Sequence, residues 1–168
     1  MINRVSNFLP PDILVTLYYS FIYPYISYCG ATSVWGNTYP SVTNKLKTAQ
    51  NRAIKAVFRL PRLYPTQDLF SDFGIIPFEQ IIKKLNLSLA YSAYHKNLPP
   101  QLLSYFNCNN SEGLCLRSSN RSFIVPKCVS SSAQRSPIYK SILQWNMIPS
   151  SIELSTSFRT LYNNVTKL

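Results

Sequence analysis

Between Asp12 and Lys45 the chain carries no charged side chain, and its most apolar stretch, Ile13 to Cys29, lies inside that interval. Placed on a helix of 3.6 residues per turn, Leu14, Leu17, Tyr18, Phe21, Ile22, Tyr25, Ile26 and Tyr28 cover most of the circumference. Thr16, Ser20, Tyr23 and Ser27 leave only a narrow polar stripe. A helix apolar nearly all round is expected at the centre of a protein or in a membrane. The length suits a span. Five tyrosines, several hydroxyl residues and Pro24 make the insertion signal weak. The expectation favoured is therefore a central helix sheathed by others, with Phe21 in the core, and the alternatives are a small membrane-anchored basic protein or a structural module that needs an absent partner domain to fold. Pro10, Pro11 and Asp12 start it, Pro24 kinks or restarts it, and Gly30 stops it. Trp35-Gly36-Asn37 reads as an exposed turn.

Helical periodicity continues downstream. With Ser41 as cap, a helix is expected to run to Pro61, its apolar face made by Val42, Leu46, Ala49, Ala53, Ala56, Val57 and Leu60. Thr66 caps a short helix that Gly74 ends, and Pro77 opens a longer one to about Asn97 with Phe78, Ile81, Ile82, Leu85, Leu89 and Ala93 inward. LPPQLLSYF forms a further short helix. Residues 107–136 turn polar and read as a linker, with SFIVPKCV as at most one short strand or hairpin. Apolar spacing returns at Ile138, Ile142, Trp145, Ile152, Phe158, Leu161 and Val165. The fold class is mainly α, organised as a helical domain over 1–106, a polar linker over 107–136 and a C-terminal helical segment over 137–168.

Charge changes the picture most. Seventeen Lys and Arg face six acidic residues, for a net charge of +11. An excess of this size points to a polyanionic partner, nucleic acid first and an anionic membrane surface second. On the helix ending at Pro61, Lys45, Arg52, Lys55, Arg59 and Arg62 fall within an arc of about 100° if the helix holds to its end. No acid is interleaved with them, so the face forgoes the opposite-charge i,i+4 pairs of an ordinary solvated surface. Phosphate contact is the reading this pattern favours.

The remaining chemistry is sparse. The acids Asp12, Asp68, Asp72, Glu79, Glu112 and Glu153 are scattered, and only Asp68 and Asp72 share a helical face. Cys108, Cys115 and Cys128, with His95 upstream, match no zinc-ligand spacing, and Cys29 reads as packing. His95 reads as a dipole partner at a helix C-terminus. No secretory signal is visible. The cysteines are accordingly expected as thiols in an intracellular compartment, nucleus or cytoplasm, with the sequons at Asn86, Asn109, Asn120 and Asn164 unused.

Several stretches, taken in order, resemble one family. They are LYYSFIYPYISYCGATSVWGNT, LKTAQNRAIKAVF, DLFSDFGIIPFEQIIKKLNLSLAYSAYHKNLP, SFIVPKC, SPIYKSILQWNMIPSSIE and SFRTLYNNV. Their order and spacing resemble the region after the palm in non-LTR (LINE-type, jockey-like) retrotransposon reverse transcriptases. The residues on the family's motif positions are Tyr18, Pro24, Tyr28, Trp35, Gly36, Gln50, Arg52, Ala53, Gly74, Ile75, Pro77, Leu98, Pro99, Trp145, Asn146 and Pro149. Phe73 stands where the family usually has Leu. The resemblance implies a helical thumb followed by a linker-like region, with the template–primer duplex and the rest of the polymerase as partners. It also implies that the Mg²⁺-binding aspartates belong to the palm. Their Tyr/Phe-x-Asp-Asp turn is not found in these residues, so no primer extension is expected from this chain alone.

Overall fold

The computed structural model describes residues 2–28, 31–107, 123–149 and 157–166. Cys29, Gly30, Cys108, Asn109, Glu112, Cys115, Asn120, Ile152 and Glu153 lie outside them. The described residues are mainly helical and contain no sheet. The strand expected from SFIVPKCV is reduced to one isolated bridge residue, Phe123. The chain divides into two compact units, residues 1–82 and 83–168. This boundary falls inside a helix, whereas the shift in composition along the sequence lies at 106/107.

In the first unit, α1 (Ile2–Val5) is followed by α2 (Pro11–Leu17), with Asp12 in its first turn as expected. A π turn then occupies Tyr18–Ile22, where the Tyr23 amide bonds back to the Tyr18 carbonyl, and α3 (Tyr23–Ser27) continues from it with Pro24 in its first turn. The wide turn takes up the hydrogen-bond loss and the ring bulk that Pro24 imposes on the preceding backbone.

The π turn also corrects the expectation of an all-round buried helix. Leu14, Tyr18 and Ile26 are buried, while Phe21 is 61% exposed, Tyr25 82% and Tyr28 67%. In an unbroken α-helix Ile26 would lie about 80° from Tyr18; absorbing one residue in the π turn reduces that to about 20°. A wheel drawn at constant pitch superposes two registers and makes a one-sided segment look apolar everywhere. Phe21→Ala is accordingly expected to change stability by no more than about 0.5 kcal/mol, checked by urea titration. A loss of several kcal/mol would place Phe21 in a core.

Next come α4 (Ala31–Gly36), α5 (Pro40–Val57) and α6 (Thr66–Phe73). Trp35, in the last turn of α4, is half-buried with its ring stacked at 5.8 Å on Phe78, and is not the exposed turn expected. Helix α5 starts at Pro40 rather than at a Ser41 cap, and its buried face is Gln50, Ile54 and Val57, with Val42 and Ala49 exposed. Tyr18, Leu14, Ile54, Val57, Leu69 and Ile75 form the core, and the Phe58 and Phe73 rings stack at 3.7 Å where α5 and α6 end.

Helix α7 (Phe78–Tyr94) carries the boundary between the units. In the second unit α8 (Pro100–Leu103), a 3₁₀ turn (Ala133–Arg135), α9 (Pro137–Asn146) and α10 (Phe158–Thr166) follow. Ser136 caps α9 by accepting from the Tyr139 amide, with Pro137 at the first position. Leu87, Ala90, Ala93, Phe106, Phe123, Ile142, Trp145 and Leu161 form the core. Phe123 therefore packs with the residues around it, although composition groups it with the linker.

Candidate nucleic-acid interface

The five basic residues singled out in the sequence do not form one stripe. Helix α5 ends at Val57, and Arg59 takes the left-handed conformation with φ of 53°. The Leu60 amide donates to the Lys55 carbonyl at 2.8 Å and the Arg59 amide to Ala56 at 3.4 Å, which is a Schellman ending. Pro61 disfavours helical backbone at Leu60, so the helix has to stop near here. The requirement that the helix hold through Arg62 is not met.

Two of the five side chains are occupied by their own unit. Lys55 Nζ donates to the carbonyls of Arg62 at 2.9 Å and Tyr64 at 2.8 Å, tying down the loop after α5. The Arg59 guanidinium donates to the carbonyls of Ser6 at 2.8 Å and Leu9 at 2.9 Å, fastening the segment before α2. A left-handed Arg costs about 1–2 kcal/mol relative to ordinary backbone, a cost these two charge-assisted bonds can offset. Lys45, Arg52 and Arg62 remain exposed and make no ion pair among the described residues. Lys47 pairs with Glu79 at 2.7 Å, on the rim of an open cleft of about 890 Å³.

The motif residues Tyr18, Gln50, Pro77, Trp35 and Gly74 gather around one node. Gln50 is 1% exposed. Its Nε2 donates to the Tyr18 hydroxyl and to the Ile76 carbonyl, both at 3.0 Å, and its Oε1 accepts from the Phe78 amide at 2.8 Å. One side chain thus closes the first amide of α7 from outside that helix. Burial pushes the Tyr18 hydroxyl above the ordinary phenol range, partly opposed by the amide that donates to it. Gly74, with φ of 62°, ends α6 and aims the chain at the node. Ala53 packs against the same core, whereas Pro24 and Tyr28 face outward.

In the second unit Trp145 is buried and Asn146 clamps the backbone of Phe123, accepting from its amide at 3.0 Å and donating to its carbonyl at 2.8 Å. Pro149 follows, exposed. Asp72 accepts from the Tyr64 hydroxyl at 2.7 Å on the surface. Four of these positions have internal roles in their units: Gln50 as a buried amide, Asn146 as a backbone clamp, Gly74 as a left-handed residue and Trp145 as a core indole. No group of three or more metal-ligating side chains gathers among the described residues, and no helix among them is long and apolar enough to cross a membrane. Comparison with protein families, curated proteins and solved structures gives no match.

Proposed function

We propose that the chain is a non-catalytic region, downstream of the palm, of a retrotransposon RNA-directed DNA polymerase of the LINE type, and that it binds the template–primer duplex. The observation that carries the reading is the charge of +11, in which six acids face 17 basic side chains and the ion pair found among the described residues is that of Lys47 with Glu79. Phosphates neutralised by such groups release condensed counterions, so binding is governed by salt more than by sequence. Fluorescence anisotropy with RNA–DNA hybrids of unrelated sequence is expected to give similar affinities, with log K falling linearly against log salt. Lack of binding at 50 mM salt, or affinities that depend steeply on sequence, would overturn the reading.

A second reading is favoured by one observation. Phe21, Tyr25 and Tyr28 are exposed on one side of the segment from the π turn to the end of α3, an apolar face of the kind that marks a protein contact. On this reading the first unit is a structural module completed by the polymerase palm.

A further inference from the structure

The division into two units exposes a charge asymmetry that the whole-chain total conceals. Ten of the 17 Lys and Arg lie in residues 83–168 with only two of the six acids, Glu112 and Glu153, both outside the described residues. Among its described residues the second unit has no carboxylate side chain at all. The first unit holds Asp12, Asp68, Asp72 and Glu79, and commits Lys47, Lys55 and Arg59 to internal partners.

Helix packing brings part of this charge to one seam. Tyr91 on α7 meets Phe158 on α10 at 5.5 Å between ring centroids, and Lys84 on α7 lies 5.3 Å from the Tyr162 centroid. The two helices therefore run antiparallel. Arg159, exposed, is one turn from Tyr162, and exposed Lys83 adjoins Lys84. The Lys84 ammonium lies over an aromatic face, so part of its side-chain freedom is given up before an anion binds.

We propose that the nucleic-acid backbone is held by the second unit, along the α7–α10 seam through Lys83, Lys84 and Arg159, rather than by helix α5. The inference rests on the nucleic-acid reading given under Proposed function and assigns its site. An anionic membrane is the less suitable partner. Surface helices enter lipid by their apolar side, and that side of α10 is spent on the core, with Leu161 fully buried and Phe158, Tyr162 and Val165 packed around it.

The test compares full-length chain with Lys83→Gln/Arg159→Gln and with Lys45→Gln/Arg52→Gln/Arg62→Gln on duplex DNA across 50–200 mM salt. Each lost phosphate contact flattens the log K against log salt slope by about 0.9, so the seam variant is expected to flatten it by about two units while the α5 variant leaves it unchanged. Flattening by the α5 variant alone, or equally by both, overturns the assignment and leaves nucleic-acid binding standing. Failure of the wild type to bind removes the underlying reading instead. Binding of phosphatidylserine vesicles but not duplex, lost in the seam variant, overturns the choice of partner. Should the seam variant fail to fold, acetylation of the wild type decides: duplex is expected to protect Lys83 and Lys84 and to leave Lys45 reactive, and the reverse pattern overturns the proposal.

Discussion

Replacing Gln50 by Leu is expected to lower stability by about 3–5 kcal/mol, although the two side chains are close in volume and leucine is the better helix former. The amide makes three hydrogen bonds at once, to Tyr18, Ile76 and Phe78. Leucine leaves the Phe78 amide and the Ile76 carbonyl without that partner, and an orphaned buried group costs about 1–3 kcal/mol, more than an average hydrogen bond contributes. Tyr18→Phe removes only one of the three and leaves the Gln50 Nε2 on Ile76, so a loss of about 1 kcal/mol is expected. Urea titrations with unchanged m-values check both. A Gln50→Leu loss below about 1 kcal/mol would mean that water satisfies the node.

In the second unit the largest effect is expected from Trp145→Ala, a loss of about 3–5 kcal/mol. The indole is 3% exposed and touches Tyr94 and Phe123, with ring centroids at 5.3 and 5.9 Å. Those partners come from α7 and from the bridge segment, so no single rotamer change refills the space. Trp145→Phe keeps most of the contact and is expected to recover over half of the loss. Thermal melts followed by far-ultraviolet circular dichroism measure both. A melting temperature unchanged by Trp145→Ala would remove the indole from the core.

How much of this was readable in the sequence follows the type of signal. Helix character was readable because apolar spacing and proline or glycine punctuation agree, as at Pro11, Gly74, Pro77 and Pro137. The composition of buried faces was less so. On α5 the periodic alanines drew the expected face toward Ala49, whereas the buried position is Gln50, a polar residue whose partners at 18, 76 and 78 lie far away in sequence. The basic stripe failed for a local reason. Arginine is a poor left-handed residue, so nothing at Arg59 announces the Schellman turn, although Pro61 set a bound on the helix. The internal roles of Lys55 and Arg59 leave no trace in the sequence because their acceptors are backbone carbonyls, which every residue has and no pattern marks. The charge asymmetry between units needed only counting, but it has no meaning until a boundary at 82/83 is known.

The π turn at Tyr18–Ile22 bears on which changes of chain length this segment can absorb. Shortening it by one residue would let the turn tighten to ordinary α pitch while Leu14, Tyr18 and Ile26 keep a common side, because the widened turn already counts as one residue too many. What opposes that shortening is Pro24, whose ring would then press on the carbonyl one turn back. Deletion and proline are thus a linked pair: loss of Pro24 makes the shorter chain admissible, and retention of Pro24 keeps the longer one. Length variation here would alter pitch and leave the buried side where it is.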